Sequence, residues 1–547
     1  MLEQNKDFAR ASGRLQLQCY KEEIEANLRT PGLSGFELLE LHDYTGQGSA
    51  LVGLLDPFWE SKGYVTPNEF KKFCNTVVPL AWLQKRIFTT DEKLEVNYGV
   101  ANFGQSALKT LFHCGVRDEN GKLLTINLNW GAATDVPVGF KGKEGSFGVE
   151  IGKLPAPARY TLFVSVDSVN GERYENDWNF WLYPAMQLPS APIPNFLATS
   201  SPSAAKQALA EGKKVLFTPR LADLSWWSPP LARVPVFWNA LMGPTWTRFL
   251  GLWCDTNSPA LAEFPTEPNY DWQWTELIRN SRSVNLDQLP RGLKPIVSAI
   301  DDWNRNYKLG VIFEARVGAG KLLVCTADLN AAPAGPQLRR SLLDYLAGEK
   351  FQPATEISPA EFESLFFDNL IMRKLGATAT ADGKPANEIL DGDPNTFWSS
   401  ADARGNGSKL PHEIQIHFPQ PVAMNGLLLM PRQNQREHQG DIREFKLEAS
   451  DDGTNWLTLP RGQLASTWNP QTIPFEKTIT TKYLKLTALS GFGTDESTAF
   501  AELAVLYAGP KLPENDGQIE YHHVRTASTD IDAGDAPAKP TKKRPKQ

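Results

Sequence analysis

The sequence predicts a multidomain chain that joins α/β segments to all-β segments, and three observations predict it. The 547 residues exceed the roughly 250–300 at which a single core stops growing. The apolar pattern changes along the chain from helical spacing to strict alternation and back. The changes coincide with turn-rich stretches, above all the Pro- and Ser-rich linker 185–200. At 41% apolar and 22% charged, the composition is that of a folded protein. The formal net charge of −7 excludes the basic face that a general nucleic-acid binder needs, and the one basic run, Lys539–Lys546, lies in the tail. The five cysteines, Cys19, Cys74, Cys114, Cys254 and Cys325, include no CxxC pair, which excludes a zinc knuckle and a disulfide framework. No apolar run reaches the length of a membrane span, about 18 residues. The N-terminus has no apolar stretch of the kind a signal peptide carries.

Residues 14–29 predict a helix, because Leu17, Tyr20, Ile24 and Leu28 recur at helical spacing and Pro31-Gly32 ends the run. Phe36–Leu41 reads as a buried strand, followed by a polar loop around Gly46-Gln47-Gly48. Helices are expected near 50–60 and, opened by Thr66-Pro67, over 67–74. A lone strand leaves its backbone unpaired, so residues 1–80 are read as the last piece of a larger α/β domain. Residues 83–185 alternate at period two, as in LEVNYGVANF and ENDWNFWLYP, with turns such as Glu119-Asn120-Gly121. That pattern predicts an immunoglobulin-like sandwich.

Residues 200–352 return to α/β. AAKQALAEGKKVLFTP reads as helix, glycine and strand. LGVIFEARVGAGKLLVCTADL reads as two strands around Gly318-Ala319-Gly320, and PQLRRSLLDYLAG closes with a helix. Between them lies an aromatic stretch, Trp226 to Trp274, which is expected to pack in cores and between domains. Cys254 lacks the glycine-flanked elbow of an amidotransferase nucleophile. Short strands dominate from 366 to 508, and the polar tail 511–547 is expected to be disordered.

The densest motifs are C-terminal. ANEILDGDPNTFWSS, LLLMPRQNQREHQGDIREFKLEASDDGTNW, KYLKLTAL and AFAELAVLY follow one another in order. In the first, Asp391, Asp393 and Thr396 crowd hard oxygen ligands into one tight turn, which suits calcium. Trp398 is expected in the core. The series resembles the coagulation factor five/eight type C, or discoidin, domain and the related carbohydrate-binding module family 32, a jelly-roll β-sandwich. The resemblance implies a structural calcium completed by Glu502, and a saccharide site in loops at one end of the sandwich. Planar Arg forks and amides bind sugar hydroxyls there, and an aromatic ring stacks on the sugar. By position the candidates are Arg432, Asn434 and His438, with Phe492 as the stacking platform.

The segment LQLQCYKEEIEANLRTPGLSGFELLELHDYTGQGSALVGLLDPFWESKGYV is similar to the end of the catalytic (β/α) barrel in glycoside hydrolase family 2, the β-galactosidase and β-glucuronidase group. The resemblance implies that Phe36–His42 is barrel strand eight. It also implies a domain order of sandwich, amidotransferase-like α/β module and discoidin-like appendage, and export to the periplasm or the outside of the cell. The family's catalytic Glu pair, about 5–5.5 Å apart in a retaining enzyme, would precede residue 1, so no catalytic residue is assigned here. Glu22, Glu23 and Glu25 read as surface charge on the helix. His42 and Asp43, at the C-terminal end of the strand, are the candidates for lining a sugar subsite. The favoured expectation is the carbohydrate-binding C-terminal portion of such an enzyme, with an oligo- or polysaccharide and an upstream barrel segment as partners. The alternative is a stand-alone glycan-binding or adhesion protein acting through the discoidin-like domain.

Overall fold

The computed structural model describes every residue except 1, 34, 39, 45–51, 129–132, 170, 186–191, 232–248, 302–304, 395, 402–408, 434–437, 460, 494–496 and 514–547. Gly46-Gln47-Gly48, Trp238, Trp246, Asn434 and almost all of the tail therefore lie outside the described residues. No helix among the described residues is long and apolar enough to cross a membrane.

A helix runs from Leu2 to Arg29. It buries Leu17, Ile24 and Leu28 against Phe73, Val78 and Leu80. The same face carries Glu25, which is wholly buried; the expectation of a surface charge is corrected here. Glu25 accepts from Asn176 Nδ2 at 2.8 Å and Trp178 Nε1 at 2.9 Å, and pairs with Lys21 and Arg29 one helical turn to either side. Burial alone would raise its carboxyl, but the neighbouring Lys21, Arg29 and Asn176 hold it below the ordinary range. A buried carboxylate thus joins the helix to the sandwich that follows.

The strand expected at Phe36–Leu41 is absent. Phe36 and Leu41 are exposed, and the pairing in this stretch is a single bridge between His42 and Leu55. A strand forms only where a neighbour takes its backbone groups, and the neighbour here reaches only the end of the stretch, where Leu41 O accepts from Leu55 N at 3.0 Å. The helix expected near 50–60 is also absent among the described residues. Asp56 instead accepts from the backbone of Phe58 and Glu60, each at 2.9 Å, a local bond that competes with helix. The short helix Pro67–Lys71 does form, with Thr66 and Glu69 in a capping box.

Residues 77–183 form two packed sheets. One holds Val77–Trp82, Leu94–Asn102 and Phe140–Val149. The other holds Ile87–Thr89, Arg173–Tyr183, Ala158–Ser168, Leu108–Arg117, Leu123–Leu128 and Thr134–Val136. Alternation explains the packing: Leu94, Val96 and Tyr98 point inward, Glu95 and Asn97 outward. Their core partners across the sandwich include Phe112, Leu162 and Trp178.

The next unit is a mixed sheet. Phe196–Thr199, Lys214–Phe217 and Gly320–Cys325 run parallel; Leu309–Val317, Val297–Asp301 and Phe249–Cys254 continue it antiparallel. Helix Pro202–Ala210 packs into one core and Ala334–Ala347 into another. Gly212, at φ +77°, turns the first helix into its strand. Cys254 is buried in its strand, and burial pushes its thiol up.

The C-terminal unit is a jelly-roll sandwich built on two long antiparallel strands, His412–Met430 and Gln471–Gly491. Register shifts within that pair bend the strands. Ile442–Ser450 flanks one long strand and Glu502–Tyr507 the other. Trp226 reaches from the mixed-sheet unit into this core beside Phe367. The chain is mostly β-sandwich with few helices.

Candidate functional site

The described residues of three connections meet at one end of the jelly roll: Phe397 after the turn at Asp391 lies by Arg432, and Gly440 and Asp441 bond Phe492. Gly392, at φ +82°, makes that turn possible, since a Cβ there would lie 2.5 Å from the carbonyl oxygen of Asn369. The turn places Thr396 Oγ1 within 2.9–3.1 Å of four oxygens: both carboxylate oxygens of Asp391 and the carbonyls of Glu388 and Asp393. One hydroxyl donates one hydrogen, so the turn presents more acceptors than donors. Glu502 adds to the excess. It is wholly buried, and among the described residues neither carboxylate oxygen makes a hydrogen bond of ordinary geometry, with Asp391 and the Gly392 backbone beside it. Burial pushes its carboxyl well above the usual range, and the neighbouring Asp391 and Asp393 push it further. No three His, Cys, Asp or Glu side chains among the described residues converge closely enough to hold a metal by themselves. A cation here would draw on main-chain carbonyls as well. The donor set, all oxygen and partly orphaned, fits a hard cation.

The turn leads directly into Phe397. The Arg432 guanidinium carbon lies 5.2 Å from the centre of that ring, and Arg432 Nη2 donates to the Gln439 carbonyl at 3.2 Å. Arg432 Nε is buried without a partner. Burial lowers the guanidinium, and nearby Asp441 offsets part of that. Asp441 is itself buried, with Oδ2 2.8 Å from His438 Nδ1 and Oδ1 unpartnered. Burial raises its carboxyl, and His438 and Arg432 oppose the rise. His438, at φ +53°, sets its ring 4.4 Å from that of Trp468. Phe492 is half-buried, and the Arg443 guanidinium carbon lies 5.9 Å from its ring centre. Backbone bonds tie the loops: Gly440 N donates to Phe492 O at 3.0 Å and Phe492 N to Asp441 O at 2.9 Å.

The structure thus brings Arg432, His438 and Phe492 to one end of the sandwich and links them through Phe397 to the oxygen-rich turn. Sequence reasoning missed Asp441, Phe397 and Trp468. Asp441 had a signal, its position three residues after His438. Trp468 had none, because its loop is far away in the chain. His42 and Asp43 lie elsewhere. His42 stacks on Trp59 at 4.3 Å, and Trp59 is 61% exposed. Asp43 faces inward, its Oδ1 accepting from Lys62 Nζ at 2.7 Å and Gly53 N at 2.9 Å, which closes this loop.

Residues 374–503 match the F5/8 type C domain. Residues 92–184 and 196–367 match two further families, each described as a domain of unknown function. A sialidase of Micromonospora viridifaciens is 30% identical over 129 residues, which are 23% of this chain and 19% of the relative. A galactose oxidase of Gibberella zeae is 29% identical over 127 residues, 23% of this chain and 18% of the relative. The chain therefore spans about a fifth of the curated relatives it matches. Among solved structures, the family 32 module of NanJ from Clostridium perfringens, in complex with galactose, is 23% identical with a TM-score of 0.22; the match covers 25% of this chain and 96% of that one. A family 32 module from a family 31 glycoside hydrolase of C. perfringens is 29% identical with a TM-score of 0.22, covering 25% of this chain and 93% of the other.

Proposed function

We propose that the F5/8 type C domain of this chain binds glycans, and that it does so as the targeting appendage of a glycoside hydrolase family 2-like enzyme. The observation that carries the first half is the gathering of Arg432, His438 and Asp441 beside Phe492 at the loop end of the sandwich, with Arg432 Nε and Asp441 Oδ1 each buried without an ordinary hydrogen bond among the described residues. A sugar hydroxyl both donates and accepts, so it suits a loop that holds a guanidinium, an imidazole and a carboxylate together. The half-buried Phe492 gives the apolar face of a pyranose a ring to lie on. The parent enzyme is inferred from the sequence resemblance of residues 15–65 to the end of a family 2 barrel, whose expected last strand at Phe36–Leu41 does not form among the described residues, and from the expected domain order, an amidotransferase-like module included. Under this reading the chain supplies binding. Hydrolysis belongs to a barrel whose catalytic carboxylates are not among the residues assigned here.

A calcium ion fits the same proposal. Asp391, Asp393, Thr396 and Glu502 would hold it with main-chain carbonyls. Its charge would balance the crowded oxygens and fix the turn that carries Phe397, and so the Arg432 fork.

Titration of the full chain with galactose and galactose-containing oligosaccharides, with and without calcium, tests the site. Saturable binding that Arg432→Ala removes is expected. Absence of binding to any of them in both conditions removes the glycan reading. A stand-alone glycan-binding or adhesion protein acting through the F5/8 type C domain is the second reading, and it rests on the same loop residues, Arg432 and His438.

A further inference from the structure

A cleft of about 960 Å³ opens where the helix Leu2–Arg29, the segment 81–87 of the first sandwich and residues 272–279 of the mixed-sheet unit meet. Its size is that of a small-ligand site. Two indoles line it, Trp82 and Trp272, both partly buried. Five cationic side chains line it against two carboxylates, Glu22 and Glu276. Both carboxylates are already engaged, and two of the cations have further partners beyond the lining, Arg29 with Glu25 at 3.0 Å and Lys85 with Glu92. Arg86 takes Glu22 at 2.8 Å and shares it with Arg29 at 3.6 Å, while Arg279 pairs with Glu276. Lys143 is exposed, lies 5.5 Å from the Trp82 ring centre, and has no ion pair among the described residues. The Arg86 guanidinium lies 5.4 Å from the centre of the Trp272 ring, and its burial is only partly compensated by Glu22 and Glu25.

The geometry points to a second ligand site, distinct from the loops of the jelly roll, that takes an acidic oligosaccharide. Exposed Lys143, with exposed Arg279 beside it paired among the described residues only with Glu276, selects for carboxylate or sulfate groups, which guanidinium and ammonium groups bind by charge-assisted hydrogen bonds. The two indoles offer apolar faces of the size of a sugar ring. This site stands whether or not the jelly roll binds a neutral glycan.

The test is calorimetric titration of the full chain in the Arg432→Ala background, so that the loop site is silenced. The probes are a galacturonate tetrasaccharide and its neutral galactose counterpart. Binding of the acidic probe is expected to exceed that of the neutral one about tenfold or more and to weaken as salt rises from about 20 to about 200 mM. The double variant Lys143→Ala with Arg279→Ala alters exposed side chains and should weaken acidic binding about tenfold. Lys143→Arg with Arg279→Lys should retain it. Equal affinity for the two probes, no binding of the acidic probe, or acidic binding unchanged in the double Ala variant would each overturn the proposal.

Discussion

Tyr307 donates its phenolic hydroxyl to the main-chain carbonyl of Trp468 at 2.6 Å, across the seam between the mixed sheet and the jelly roll. The same seam holds Gln433. Its amide donates to the carbonyls of Pro431 and Trp468 at 2.9 and 2.8 Å, and its oxygen accepts from Arg305 Nη1 at 3.3 Å. Arg305 is fixed in turn by the buried Asp301, whose Oδ2 accepts from its Nε at 2.8 Å. Trp468 is the ring on which His438 rests. The candidate sugar loop is therefore held from outside its own domain.

Gln433→Ala should therefore act on both binding and stability. It leaves Arg305 without one acceptor and the Trp468 carbonyl with one donor fewer. The expected loss is about 1–3 kcal/mol of stability, the usual cost of unmaking buried hydrogen bonds. Glycan affinity should fall with it, because His438 loses its fixed support. Denaturant melts and sugar titration on the same preparation separate the two effects. Lower stability with unchanged affinity would mean that the seam only holds the units together.

Glu25 gives a pH prediction. Its folded carboxyl sits below the ordinary range, so the unfolded chain binds the proton more readily. The stabilisation is fully present above the unfolded value, about 4.3. It is lost as pH falls through the lower folded value. Melting temperature against pH should therefore drop more steeply below that point for the native chain than for Glu25→Gln. At neutral pH, Glu25→Ala leaves Lys21 and Arg29 without their buried counter-charge and should cost about 3–5 kcal/mol. Parallel melting curves for the native chain and Glu25→Gln would refute this account.

These two cases mark where the sequence was readable and where it was not. Local rules carried well. Alternation set the inward face of Leu94, Val96 and Tyr98, Thr66-Pro67 opened a capped helix, and Asp391 to Thr396 formed the tight oxygen-rich turn. Failures came where the partner was distant. Glu25 reads as one more acidic residue on a polar helix, and only Asn176 and Trp178 bury it. Tyr307 and Trp468 lie 161 residues apart, with no shared motif. Phe36–Leu41 is apolar enough for a strand, but apolarity does not supply the neighbour that would pair with it.

The oxygen-rich turn predicts opposite behaviour for one variant with and without calcium. Without the ion, Glu502→Gln exchanges a buried carboxyl that burial, Asp391 and Asp393 push well above the usual range for a neutral amide, and should melt no lower than the native chain. With calcium at about a hundredfold excess over its Kd, the native chain should gain about 2.7 kcal/mol and the variant much less. Asp391→Asn should also lose most of the gain. Thermal melts in chelator and in calcium measure all three proteins. An equal calcium response in native chain and Glu502→Gln would exclude the turn as the ion site.

Arg432 is the sharpest test of the loop site, because charge and shape can be separated there. Its guanidinium lies against Phe397 while Nη2 bonds the Gln439 carbonyl and Nε is buried without an ordinary hydrogen bond among the described residues. Lysine keeps the charge but has no planar fork and no second row of donors. Arg432→Lys should therefore bind galactose-type sugars nearly as poorly as Arg432→Ala, with both weakened about tenfold or more. Asp441→Asn keeps the shape and removes the charge that Arg432 and His438 share, so its loss should be smaller. If Arg432→Lys binds like the native chain, only a positive charge is needed. The ligand would then be recognised as an anion and not through its hydroxyls.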